Sequence, residues 1–286
     1  MEETKRIAAI HDISGFGKCS LTVALPVISA SGVECACLPT ALLSTHTGGF
    51  KNYTFKDLSD EMLPIARHWK SEGIEFDGIY SGYLASAEQA ATLEEIIDIL
   101  ATEKTKIILD PVMADNGIYY SKHGDEMCLA FRRLCKKAHI ITPNITEAAL
   151  LTGLPYRSGP HDSEYINDLL NGLSKLCRGI IAITGVCPDE NSVGVCTLNT
   201  QTGEKHTCVR PVRAGVFCGT GDIFASSFAS LMIRGAGLRD AAETAISLVG
   251  DSIDATVERG TARRNGVEFE RALPAYIKRI SELFGK

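Results

Sequence analysis

Gly78-Ile79-Tyr80-Ser81, Lys106-Ile107-Ile108-Leu109 and Ile140-Ile141-Thr142 are short apolar runs separated by two helical periods, and this stretch decides the fold. The first period covers residues 86–101: Ser86 is placed to cap it, and Ala90, Leu93, Ile96, Ile97 and Leu100 fall on one face. The second covers residues 125–137. Strand and helix alternating at this rhythm means a mostly parallel sheet covered by helices on both faces. The same alternation extends outward. Towards the N-terminus it predicts strands over 7–10 and 34–38, a helix over 18–30 despite Pro26, and a helix over 57–71 capped by Asp57 or Ser59. Towards the C-terminus it predicts helices over 146–152 and 163–177 and a strand over 179–184. A hairpin of 193–198 with 205–212 follows, then helices over 222–234, 238–258 and 267–284. No Pro-, Gly- or Ser-rich linker and no internal repeat divides the chain, so the expectation is one α/β domain over residues 1–286.

Composition narrows the function. With 45% hydrophobic residues in 286 the chain is too apolar for disorder, and it has no apolar run of the roughly 18 residues that a spanning helix needs. A net charge of −6 argues against a dedicated nucleic-acid binder or a polybasic membrane surface. Phosphate ligands stay open, because backbone N–H groups bind them without net positive charge. The opening Met1-Glu2-Glu3-Thr4-Lys5-Arg6 does not read as a signal peptide, and ten cysteines without a short framework read as reduced thiols, so a cytoplasmic setting is expected. Cys35 and Cys37 alternate within an apolar run and are expected on one strand face.

In parallel sheets ligands sit beyond the carboxyl ends of the strands. Polar residues just after strands are therefore the candidates. Ser14-Gly15-Phe16-Gly17-Lys18-Cys19-Ser20 misses a P-loop, with Asp12 and Cys19 at the wrong places, and misses a dinucleotide fingerprint at Ser20. It reads as a tight turn bringing backbone close to a small ligand. Cys218-Gly219-Thr220-Gly221-Asp222 precedes a helix, whose free N–H groups and dipole make an anion site. Asp222 is either an N-cap or a general base beside that site. Asp110, in Asp110-Pro111-Val112-Met113, and Glu147, in Pro143-Asn144-Ile145-Thr146-Glu147, are carboxylates on the ligand side. Such groups suit Mg²⁺ that keeps its waters, or else serve as a turn cap and a first-turn helix acid. His68, His123, His139, His161 and His206 show no metal-ligand spacing and read as structural. Cys218 reads as small-residue packing, although a helix N-terminus lowers a thiol pKa.

Asn144-x-x-Glu147 together with Gly219-Thr220-Gly221-Asp222 resembles the ribokinase-like superfamily of small-molecule kinases. Ser81-Gly82-Tyr83-Leu84-Ala85-Ser86-Ala87-Glu88-Gln89, Asp110-Pro111-Val112-Met113 and Ser44-Thr45-His46-Thr47 resemble its pyridoxal (vitamin B6) kinases, in register from Ile7 to at least Leu231. The resemblance implies ATP-dependent 5′-phosphorylation of a B6 vitamer. Asp222 would be the base, and Gly219, Thr220 and Gly221 the anion hole. Asp110 and Glu147 would hold Mg²⁺, largely through water. Thr142, Asn144, Thr184 and Gly185 would line the ATP site, with residues 114–123 as a mobile flap. Asp12, Ser14, His46, Thr47 and Tyr83 would line the pyridine pocket, His46 towards the ring 3-hydroxyl. It also implies a monovalent cation and a homodimer.

Two positions depart from the pattern. Asp12-Ile13-Ser14-Gly15 is closer to hydroxymethylpyrimidine kinases, and Thr184 stands where the B6 family often has a phosphate-contacting lysine. A hydroxymethylpyrimidine kinase of thiamine synthesis is the nearest alternative, although that branch commonly has Cys where this chain has Asp222. A sugar kinase and a non-catalytic vitamin-binding protein stand further off: residues 34–56 are short for a sugar kinase's lid, and Asp222, Asp110 and Glu147 are all present.

Overall fold

The computed structural model describes residues 4–285, so the first three residues of the opening read above lie outside it. In chain order the strands are β1 (Arg6–Ser14), β2 (Glu34–Leu43), β3 (Phe55–Asp57), β4 (Gly78–Ser81), β5 (Lys106–Leu109), β6 (Ala114–Asp115), β7 (Ile118–Tyr119), β8 (Ile140–Ile141), β9 (Ile180–Asp189), β10 (Ser192–Asn199) and β11 (Lys205–Pro211). The helices are α1 (Leu21–Ala30), α2 (Ser59–Ser71), α3 (Ala87–Leu100), α4 (Asp125–Lys137), α5 (Ile145–Thr152), α6 (Ser163–Ser174), α7 (Thr220–Ile233), α8 (Leu238–Arg259) and α9 (Phe269–Phe284), with a 3₁₀ turn at Arg263–Asn265.

One nine-stranded sheet, ordered β11-β10-β9-β8-β5-β4-β1-β2-β3, carries the fold. From β2 across to β9 every pairing is parallel, while β3, β10 and β11 are antiparallel. Period 2 along β1 sorts the core: Ala8 and Ile10 face the layer of α2 to α6, and Ile7 and Ala9 face α1, α7, α8 and α9. The chain leaves β1 towards β2 on one side and later fills β4 on the other. This reversal opens a crevice at the carboxyl ends of β1 and β4.

Several expected boundaries move. β1 continues to Ser14 across an irregularity between His11 and Ile13, so the residues read as a loop after the strand belong to it. α1 starts at Leu21 rather than 18, because Gly17, Lys18 and Ser20 have φ of 112°, 55° and 57°, outside helical values. β2 extends five residues past Leu38 and pairs with the unforeseen β3. β9 continues beyond Thr184 and turns back as β10, making a three-stranded antiparallel edge where only the second hairpin was expected. α2 is capped from Leu58, with Asp57 Oδ1 accepting from the Ser59 N–H one position outside the cap. Ser86 does cap α3, accepting from Gln89 N at 3.3 Å. Cys35 and Cys37 share a face, and all ten cysteines are free.

Candidate active site

The site is assembled from the carboxyl ends of the parallel strands and the N-terminus of α7. Beyond β1 the chain folds back so that Ile13 bridges Ser20, and the left-handed turn between them aims the Ser20 N–H outward. That N–H donates to Asp222 Oδ2 at 3.0 Å. Asp222 is therefore not the N-cap. The cap position is Gly219 at φ 81°, which puts Asp222 in the first turn with its carboxylate turned across to the β1 loop. Gly219 is required twice over: its φ is left-handed, and a Cβ there would strike the Lys18 carbonyl. No side chain caps α7, so its first N–H groups have no partner within the helix, and a Cβ on Gly221 would meet open space. This is an uncovered anion cradle with a half-buried carboxylate beside it.

Asp110 stands just past β5, its N–H bonded to the Ser81 carbonyl at 2.8 Å, and Thr142 N donates to Leu109 O at 3.0 Å in the next row. Asn144 caps α5 by accepting from Glu147 N, while Glu147 returns Oε2 to Asn144 N, both at 2.9 Å. Glu147 is thus the acid of a capping box, and it is also buried. Its other oxygen accepts from Met113 N at 3.1 Å. Asn144 Nδ2 donates to Ala114 O at 2.8 Å, and Gly117 N donates to Thr146 Oγ1 at 3.0 Å. These bonds moor the β6–β7 hairpin, the expected flap, onto the first turn of α5. Asn116 and Gly117 both have positive φ, as a two-residue type I′ hairpin turn requires. Thr184 bridges Asn144 from the adjacent strand, and Gly185 is exposed beside it.

Around the crevice Ser14 Oγ donates to Asp12 Oδ2 at 2.9 Å. Tyr83 stacks on His123 at 5.2 Å, so the last residue of the flap segment touches the expected pyridine pocket. His46 is buried with both ring nitrogens engaged: Nδ1 accepts from Gly48 N at 3.0 Å, so Nε2 carries the proton and donates to Arg264 O at 2.7 Å. The expected bond from His46 to a ring hydroxyl therefore has no free nitrogen in this arrangement. His46 offers instead a ring packed on Phe50 and against Gly17. Thr47 is exposed and makes no hydrogen bond among the described residues. Sequence reasoning missed Ser20, Met113, His123 and Arg264. Three of these act through backbone atoms, which leave no trace in residue type.

The electrostatics are one-sided. Burial pushes Asp222 up to about 7, with Asp12 adding to it and the Ser20 N–H opposing. Burial and then Asp222 push Asp110 up to about 8, against the Thr142 hydroxyl. Glu147 is raised by burial and by Asp110. Asp12 is raised by burial, with the Ser20 and Ser14 hydroxyls opposing. Tyr83 is raised to about 12 by burial, then by Asp12 and Tyr53. None of the four carboxylates has a Lys or Arg ion-pair partner among the described residues. Buried, mutually repelling oxygen donors without a counter-cation suit a hard divalent ion. No three His, Cys, Asp or Glu side chains among the described residues converge on one point, so water and phosphate oxygens would have to complete its shell.

The family model described as phosphomethylpyrimidine kinase matches residues 23–266. A putative phosphomethylpyrimidine kinase from Bacteroides thetaiotaomicron, solved in an orthorhombic form with pyridoxal, is 35% identical. It superposes with a TM-score of 0.91 over 96% of each chain. A pyridoxal kinase from Lactobacillus plantarum is 29% identical with a TM-score of 0.89, over 98% of this chain and 99% of that one. The pyridoxine/pyridoxal/pyridoxamine kinase of Bordetella pertussis is 26% identical over 267 residues, 89% of this chain and 90% of its own.

Proposed function

We propose, from the premise that this chain belongs to the phosphomethylpyrimidine kinase family, that it transfers the γ-phosphoryl group of ATP to the 5′-hydroxymethyl group of a vitamin B6 vitamer: pyridoxal, pyridoxamine or pyridoxine. The observation that carries the reading is Asp222: half-buried, fixed by the Ser20 N–H, and next to the uncapped first turn of α7. A carboxylate whose pKa sits near 7 is suited to take a proton from the attacking hydroxyl. The N–H groups of Gly219, Thr220 and Gly221 then face the charge spread over the transferred phosphoryl oxygens. Thr142, Asn144, Thr184 and Gly185 line the approach of the nucleotide phosphates. Asp110 and Glu147 are the residues that would hold Mg²⁺ through water, and the ion would neutralise phosphate charge there. On the other side Asp12, Ser14, His46, Thr47 and Tyr83 form the vitamer pocket. With His46 committed to backbone, polar recognition of the ring falls to Asp12 and Ser14, and Tyr83 supplies a flat surface. A homodimer, a cytoplasmic setting and a monovalent cation belong to the same reading.

Hydroxymethylpyrimidine is the second reading. The family model and Asp12-Ile13-Ser14-Gly15 favour it, whereas the pyridoxal in the Bacteroides relative favours the first. A coupled assay of ADP release, with pyridoxal, pyridoxamine, pyridoxine and hydroxymethylpyrimidine in competition, tests both. A vitamer is expected to be consumed fastest. Faster phosphorylation of the pyrimidine would overturn the vitamer assignment and leave the phosphoryl-transfer chemistry standing.

A further inference from the structure

At the opposite end of the sheet, where β5, β8 and β9 begin, lies a cleft of about 630 Å³ lined by Lys106, Lys136, Lys137, Lys175 and Arg178, with His139 between them. No acidic side chain lines it. Lys137 pairs with Asp98 at 2.7 Å, but Lys106, Lys136, Lys175 and Arg178 have no carboxylate partner among the described residues. His139 Nδ1 accepts from Ile107 N at 3.0 Å, which leaves its neutral ring with an Nε2–H donor on the cleft lining. In a chain of net charge −6 this concentration of unpaired cations stands out.

Part of it follows from the fold. α4 and α6 end here, and lysines in a last turn or at a C-cap complement the helix dipole, which accounts for Lys136, Lys137 and Lys175. The dipole accounts for neither Lys106, which opens β5, nor Arg178, which sits in the turn before β9. It also does not require that all these groups converge on a concave space. The volume is within the roughly 300–1,000 Å³ usual for small-ligand sites. Clustered like charges repel unless an anion neutralises them.

We infer that this cleft is a second anion site, for a small molecule carrying two or more phosphate groups, separate from the phosphoryl-transfer site. Such a ligand offers several oxygens in a compact volume to cations spread round a pocket, with one imidazole donor among them. The acidic balance of the whole chain disfavours a long nucleic acid, whose charge would extend past the cleft. The strands that start at the cleft end at the active site: β5 leads from Lys106 to Asp110, and β8 follows His139 and leads to Thr142.

The test uses the full chain and sodium tripolyphosphate without Mg²⁺. Binding is measured by calorimetry, and lysine acetylation with and without the anion is mapped by mass spectrometry. Lys106, Lys136 and Lys175 are expected to be protected, and K136E/K175E/R178E to weaken binding at least tenfold. The charge-matched K56E/K70E/K278E is expected to bind as wild type does. Unchanged binding by the cleft variant, equal weakening by the control, or no protection of those three lysines would overturn the inference. The mapping is done on the wild-type chain, so it decides even where a variant fails to fold. The cleft variant should keep wild-type kinase activity when no tripolyphosphate is present. The result also stands apart from the kinase reading, since a chain that phosphorylates no vitamer would leave it unchanged.

Discussion

The two ends of the central sheet are electrostatic opposites. At the carboxyl ends of the strands Asp12, Asp110 and Glu147 are buried and Asp222 half-buried, none with a Lys or Arg partner among the described residues, and at the amino ends Lys106, Lys136, Lys175 and Arg178 surround a cleft that no acidic side chain lines. The carboxylates are rigidly held and desolvated, so each charge is expensive and their pKa values climb. The cations are on flexible stems in contact with water, so their repulsion is screened. Burial, more than the number of charges, therefore decides how far the charges at each end are perturbed. The same substitution should have large effects at one end and small ones at the other.

The largest expected effect is at Asp222. Asp222→Asn keeps the shape and removes the base, and kcat should fall by about 10²–10⁴ while vitamer Kd changes little. Steady-state kinetics with equilibrium binding checks this, and near-normal turnover would leave Asp222 as a structural anchor for the Ser20 N–H. Next come the two glycines of the cradle, which should separate fold from function. Gly219→Ala meets the Lys18 carbonyl at an unfavourable φ and should cost about 1–3 kcal/mol of stability as well as activity. Gly221→Ala points into open space within α7, so its thermal midpoint should be no lower than wild type while kcat falls, because the methyl enters the space proposed for the transferred phosphoryl group. Equal stability losses in the two variants would contradict the cradle.

A smaller effect is expected from proton linkage. Asp110 and Asp222 have folded pKa values of about 8 and about 7, above the usual carboxylate range. The folded chain then binds more protons than the unfolded one, so stability is greatest below about pH 4 for these groups and declines as pH rises through 7 to 8. Metal-free protein should lose a few degrees of Tm between pH 6 and 8.5 from this source. Millimolar Mg²⁺ should restore more of it at pH 8.5 than at pH 6, and Asp110→Asn should flatten the slope. A thermal-shift series with and without Mg²⁺ reads all three. The smallest effect belongs to the cationic end. Arg178→Gln relieves like-charge repulsion and should stabilise by a few tenths of a kcal/mol at low salt and not at high salt. A destabilisation of 1 kcal/mol or more would show that Arg178 already has a structural partner.

The parallel heart of the fold was legible because strand and helix there have clean, different periods, as between Gly78–Ser81 and Ala87–Leu100. The edges were not. Phe55–Asp57 has three residues and no alternation to read, and β9 runs on through Thr184-Gly185, a pair that looks like an ending. In the site, Asp110 and Glu147 could be singled out as carboxylates on the ligand side of the sheet and Asp222 as the acid behind a glycine pair before a helix, and the resemblance joined them with Asn144. Ser20 could not, since its bond to Asp222 is made by a backbone N–H. Nor could the state of His46, which depends on a carbonyl 218 residues away.

The bond from Ser20 to Asp222 joins residues 202 apart in sequence. Closing so long a loop yields nothing until both of its ends are ordered, so contacts of this kind form late. A chain that ends before α7 contains β1, β4 and β5, and with them Asp12 and Asp110, yet it lacks the Gly219–Gly221 turn and Asp222. On the proposed mechanism such a fragment would not consume ATP. Turnover would thereby report that synthesis has entered its last quarter, where α7 begins, and that α7 has docked against the β1 loop.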